Sequence, residues 1–94
     1  MYVASVRAEL FLPFAHTLKE KRALLNRIKD RMRNSGASVA EIDHHDLWQR
    51  AALGVAVVSG ESEALTGRLA TLRDIAEGQS PEVQVLDWIV SHHE

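Results

Sequence analysis

The sequence predicts an α+β fold in which two helices cover one face of a four-stranded antiparallel sheet. Two observations carry this. Four short segments show period-2 alternation or unbroken β-branched apolar runs, and two longer segments repeat their apolar residues at helical spacing. Their order along the chain is β-α-β-β-α-β. Ninety-four residues suffice for one domain over 1–94 and are too few for two separate cores.

The first strand is read from Tyr2 to Leu12. Tyr2, Ala4, Val6, Ala8, Leu10 and Leu12 fall on one face, and Val3, Ser5, Arg7, Glu9 and Phe11 on the other. Pro13 lacks a backbone donor and ends the ladder. Thr17 and Glu20 stand in the S/T-x-x-E relation of a helix start. Leu18, Leu24, Leu25, Ile28 and Met32 then repeat helically, and Asn34, Ser35 and Gly36 supply the stop. Ala37 to Asp43 alternates again and predicts a second strand. A polar bend, HHDLWQ, leads to Ala51–Ser59, whose apolar run predicts a central strand buried on both faces. Glu61 to Glu77 forms the second helix on Leu65, Leu69, Leu72 and Ala76, with Gly78 as its cap. Val83 to Val90 is the last strand, and His92 and His93 are left as an end with no assigned role.

With right-handed crossovers this order gives the ferredoxin-like sandwich, with the first and third strands central. The other sheet face has no covering layer in the chain and carries small apolar groups. A second copy is the expected cover, so a homodimer or other homo-oligomer is expected.

Composition limits the chemistry. The chain has no cysteine, which excludes disulfides, thiolate metal sites and cysteine nucleophiles. No P-loop, G-x-S-x-G or glycine-rich phosphate fingerprint is present, so no enzyme activity, catalytic residue or cofactor is assigned. Neither a signal peptide nor a run of about 20 apolar residues fits the sequence, so no membrane association is expected and the cytoplasm is the expected address. The third strand lacks the aromatic rings of an RNA-recognition motif.

Charge is unevenly distributed. The net charge is -2, yet Thr17–Ser35 carries seven basic residues against two acidic ones, a local +5. Within the helix, Arg22, Asn26, Lys29 and Arg33 follow i, i+4, i+7, i+11 along one flank, with Lys19 just past it. Such a stripe could follow a phosphate backbone for about 16 Å. The alternatives are an ordinary solvated face or pairing with Glu61, Glu63, Asp74 and Glu77 of the second helix. Lys21 falls inside the apolar arc and is expected to snorkel to solvent.

The densest group of functional side chains is DHHDLWQR, Asp43 to Arg50. Asp43 and Asp46 are expected to shape the bend through hydrogen bonds to backbone. His44 and His45, adjacent on an extended strand, would point to opposite faces, so no metal is assigned. Trp48 is expected to bury its ring and use its indole N–H, and with Gln49 and Arg50 to mark an interface.

The stretches HTLKEKR (His16 to Arg22) and SVAEIDHHDLWQRAALGVAVVS (Ser38 to Ser59) resemble the YlxP-like family of small bacterial proteins of unknown function. The similarity runs from Met1 to about Val90. Residues matching its motifs are Lys19, Glu20, Lys21, Arg22, Asp43, His44, Asp46, Leu47, Trp48, Gln49 and Arg50; His45 departs from the Gln more often found there. The resemblance implies a cytoplasmic bacterial protein with the fold derived above. In several bacteria the family's gene lies among genes for transcription elongation, translation initiation and ribosome maturation, which favours ribosomal or other structured RNA as partner. The family has no settled catalytic residues to carry over. The expected function is therefore that of a non-enzymatic accessory protein binding RNA or the ribosome through the first helix. The alternative is a dimeric protein-interaction module that binds no nucleic acid, and a third reading is a small-molecule or metal-dependent activity around His16, Lys21 and the Asp43 to Asp46 bend.

Overall fold

The computed structural model describes residues 1–93. Its elements are β1 (Tyr2–Phe11), α1 (Leu18–Asn34), β2 (Ser38–Asp43), β3 (Arg50–Ser59), α2 (Ser62–Glu77) and β4 (Gln84–His93). The strand order is β2-β3-β1-β4, with every neighbouring pair antiparallel. This is the ferredoxin-like arrangement.

The alternation of β1 is the origin of the layering. Ala4, Val6, Ala8 and Leu10 are buried beneath the helices, where they meet Leu25, Ile28 and Met32 of α1 and Leu65, Leu72 and Ala76 of α2. Val55 and Val57 of β3 join them from the neighbouring strand. Each fully buried Leu or Ile contributes about 1.5–3 kcal/mol over an exposed one, and this one-sided core holds the helices to the sheet.

Local chemistry sets the limits of α1. Thr17 has extended backbone angles and its Oγ1 accepts the Glu20 N–H at 3.1 Å. Glu20 Oε2 reaches back to the His16 N–H at 3.1 Å, one residue outside the cap. At the other end Gly36 takes φ +93°, the left-handed conformation. Its N–H bonds to the Arg33 carbonyl, and the Ala37 N–H to that of Met32, which closes the helix in the Schellman pattern. Gly78 also caps its helix, but in the right-handed region.

Two strand expectations are corrected. β3 is central, yet only its helix-facing side is fully covered, since Ala56 and Val58 are exposed on the other. An apolar run reads the same whether its second face meets a helix or an open surface of small residues. β4 continues past Val90 to His93, with His92 and His93 opposite Ala4 and Val3. Backbone pairing to β1 extends the strand where side-chain pattern does not, and His93 Nε2 lies 2.7 Å from Ser5 Oγ.

Candidate functional site

The bend between β2 and β3 is built around one carbonyl. β2 ends at Asp43, and His44 takes the left-handed φ of +62°, a conformation that costs of order 1–3 kcal/mol in a non-glycine residue. Three bonds stabilise it. Asp43 Oδ1 accepts the His44 N–H at 2.8 Å, while the His44 carbonyl accepts the Leu47 N–H at 3.1 Å and Lys21 Nζ at 2.7 Å. The start of β3 is latched to the chain after β1. The Leu12 N–H donates to the Gln49 carbonyl at 2.9 Å, and Gln49 Nε2 donates to the Pro13 carbonyl at 3.2 Å.

Lys21 does not snorkel. It is 1% exposed, and its ammonium faces Glu41 Oε2 at 2.9 Å. Glu41 Oε2 makes the ion pair by proximity, off the direction of a hydrogen bond; the directed bond from Lys21 goes to the His44 carbonyl. A buried ammonium costs several kcal/mol unless paired, and this one is paired. The residue that the helical pattern does not explain is thus the tie between α1 and the bend.

Three other expectations about the bend change. The histidines lie beyond the strand, and their rings diverge locally: His44 Nε2 is 3.1 Å from Glu9 Oε2, and His45 Nε2 is 3.2 Å from the Glu41 carbonyl. Among the described residues no three His, Asp or Glu side chains converge as metal ligands. Asp43 shapes the bend as expected, whereas Asp46 makes no side-chain hydrogen bond among the described residues. Trp48 is 52% exposed, and its indole N–H has no partner among the described residues. The tryptophan that packs against the core is Trp88. Trp48 lies instead at the surface of the bend, beside Leu47, Gln49 and Arg50.

The open sheet face begins beside this bend. Glu9 Oε1 accepts from Arg7 Nε and Nη2 at 3.0 and 2.9 Å, and Glu9 Oε2 accepts from Arg50 Nη2 at 3.2 Å. Arg7 Nη2 also reaches Asp43 Oδ2 at 3.0 Å. Partial burial of the Glu9 carboxyl acts to raise its pKa, but hydrogen bonds from Arg7, Arg50 and His44 together outweigh it, and the net shift is downward. The Asp43 pKa is lowered, first by the His44 backbone N–H and then by Arg7. That of Arg7 is raised by Glu9 and Asp43. Arg7, Glu9 and Glu41 were not singled out from sequence. The signal for two of them was present, since Arg7 and Glu9 share the uncovered face of a central strand, where a charge needs a partner.

Beyond the network the open face is concave, with a volume of about 630 Å³. Ser5, Ala40, Gly54 and Ala56 line it, with Ile42 and Ile89 beside them. Gly54 permits this packing: a Cβ there would lie 2.9 Å from Ile42 Cγ2.

The cationic stripe of α1 borders the β2 edge of the molecule. Arg33 Nη2 donates to the Val39 carbonyl of that edge strand at 3.0 Å, and Arg33 Nη1 is 3.8 Å from Asp30. Arg33 is therefore partly engaged. Lys19, Arg22 and Asn26 are exposed and Lys29 is half-buried. Arg27, on the opposite flank, approaches Glu82 at 3.8 Å. Among the described residues no cation of α1 pairs with an acid of α2, where Glu77 instead meets Arg73 of its own helix at 2.9 Å. Lys19, Arg22 and Lys29 have no ion pair there either.

Comparison with known proteins agrees with the resemblance carried by the two motifs. The family described as "Protein of unknown function (DUF503)" matches residues 3–89. An "Uncharacterized protein YlxP" of Bacillus subtilis (strain 168) is 41% identical over 58 residues, 61% of this chain. The aligned part spans 63% of that relative's length. Two designed proteins share the fold. Foldit4 superposes over the whole of both chains with a TM-score of 0.62 at 8% identity. LFR1 1, a design with a ferredoxin fold, gives 0.55 at 12% identity over 99% of this chain and 84% of its own. Among the described residues no helix is long and apolar enough to cross a membrane.

Proposed function

We propose that this chain, which belongs to the DUF503 family of proteins of unknown function, is a non-enzymatic accessory protein that docks on structured RNA, with the ribosome as its setting. The observation that carries the reading is the uncompensated flank of α1. Lys19, Arg22 and Lys29 have no acidic partner within the described residues of a protein that is acidic overall. Asn26 adds a neutral donor between them, and Arg33 closes the stripe while holding the β2 edge. Phosphate contacts of this kind set position and affinity but carry no base information. The genomic setting implied by the YlxP-like resemblance points the same way.

Binding to ribosomal RNA should fall steeply with salt, by roughly 0.7–0.9 in log K per log unit of salt for each phosphate neutralised. Arg22→Glu combined with Lys29→Glu should weaken binding at least about tenfold and flatten the salt slope by roughly two. Fluorescence anisotropy with labelled RNA at several salt concentrations measures both. Unchanged affinity in the double variant would remove α1 as the interface.

A second reading rests on the open sheet face. Its concavity of small residues, with Ile42, Val58 and Ile89 exposed on the same layer, suits a homodimer packed sheet to sheet. Light scattering behind size exclusion should then give the mass of two chains at both low and high salt, and Ala56→Arg should give that of one. A wild-type mass of one chain under both conditions rejects the dimer.

A further inference from the structure

The exposed tryptophan has no role in the packing described above, although the bend that carries it is closely braced. The His44 carbonyl takes Lys21 and the Leu47 N–H on one side, and Gln49 is bonded through both its backbone and its side chain on the other. The Trp48 ring is held out from this framework. Beside it lies a concavity of about 390 Å³ lined by Asp46, Leu47, Trp48, Gln49 and Arg50. The concavity is shallow and open, formed by one continuous run of the chain.

We infer that this cleft seats a single unstacked nucleobase from an RNA loop, with the Trp48 indole as its stacking platform. The inference rests on the RNA reading of α1 and adds to it the part of the RNA that is read. Three features favour a base over other occupants. An indole face offers sequence-tolerant stacking to any base. The Asp46 carboxylate has no hydrogen-bond partner among the described residues and is an acceptor for N–H groups on a base edge. Gln49 uses Nε2 on the Pro13 carbonyl, which leaves its amide oxygen as a second acceptor. A phosphate in the same cleft would meet the Asp46 charge, and the one cation in the lining, Arg50, is already held by Glu9 at 3.2 Å, so the backbone has to lie elsewhere. Lys19 and Arg22, exposed on the first turns of α1, would take it, since Lys21 between them ties that end of the helix to the bend. Cations for the backbone and a ring for the base thus stand at the same end of the molecule, while the sheet strands that stack bases in RNA-recognition motifs carry no ring on β3.

The test compares two synthetic RNAs under identical salt: a stem-loop with an unpaired loop, and the same stem as a blunt duplex. Trp48→Ala should lose about tenfold in affinity for the stem-loop, the equivalent of one stacked base. It should leave duplex affinity and the salt slope unchanged, and Trp48→Phe should lose less. In a Trp88→Phe background, emission from Trp48 should be quenched by the stem-loop and not by the duplex. Trp48 is half-exposed and makes no hydrogen bond among the described residues, so its variants should melt like wild type. If Trp48→Ala binds both RNAs as wild type does while Arg22→Glu with Lys29→Glu abolishes binding, the base seat is wrong and the charge reading stands. If wild type binds neither RNA at low salt, both fail. A change of oligomeric mass in Trp48→Ala with RNA affinity unaltered would assign the ring to a protein contact and overturn the seat.

Discussion

Lys21 and Arg22 are adjacent in sequence and carry the same charge, yet α1 places them in opposite surroundings. One turns under the sheet end, loses nearly all contact with water, and satisfies a carboxylate and a strained carbonyl. The other turns outward and meets no acid among the described residues. The difference comes from the angle of about 100° between successive residues, which puts one side chain in the apolar arc and its neighbour on the rim. It separates two uses of a cation. Lys21 is part of how the chain folds, and the flank of Lys19, Arg22 and Lys29 is available for a partner. A local charge of +5 therefore overstates the charge presented at the surface, because at least one of those charges is internal.

The comparison can be broken most severely at Lys21. Lys21→Met should destabilise the fold by about 3 kcal/mol, because it strands the partly buried Glu41 carboxylate and removes the shorter of the two bonds to the His44 carbonyl. Chemical denaturation measures it. Adding Glu41→Met should recover much of the loss, since an apolar pair of similar size is often tolerated where an ion pair was. A small cost for the single variant would mean that Lys21 is no more structural than Arg22.

An intermediate effect is expected from acid. Glu9 and Asp43 both have folded-state pKa values below their usual ones, so the unfolded chain binds protons more readily than the folded one. Their contribution is complete above the unfolded values of about 4 and is lost as the pH falls through the lower folded values. Melting temperatures followed from pH 6 to 2 should hold down to about pH 5 and fall below it. Glu9→Gln with Asp43→Asn should flatten the decline, and an unchanged profile would show that the network around Arg7 carries no pH dependence.

The smallest effect belongs to the flank. Arg22→Glu with Lys29→Glu should shift stability by no more than about 0.5 kcal/mol, as substitutions away from packed features do. The same variant is the one that should lose RNA. Loss of stability and of binding together would erase the distinction between the two kinds of cation.

The layering was legible in the sequence because burial repeats with the period of each element. β1 and α1 show it plainly, and the Thr17–Glu20 cap marks where the period changes from two to 3.6. The end of β4 was not legible: His92 and His93 join the sheet through backbone bonds to β1, for which side chains give no sign. The candidate site was legible as a list of residues and not as an arrangement. DHHDLWQR stood out by its density of polar groups. That Asp43 and His44 meet Arg7, Glu9 and Lys21 while Trp48 stays exposed depends on the left-handed step at His44, a conformation uncommon in any non-glycine residue and not marked by the residues around it.

Periodicity, capping residues and the position of proline and glycine are properties of short segments, and physics acting over a few residues was enough to read the element order, the core faces and the charged flank of α1. The partners of Lys21, the hub at Glu9 and the exposure of Trp48 join residues from β1, α1, β2 and the bend. They arise only when the strand register and the helix rotation are both in place, because a buried charge is settled by whichever groups the packing brings within about 3 Å.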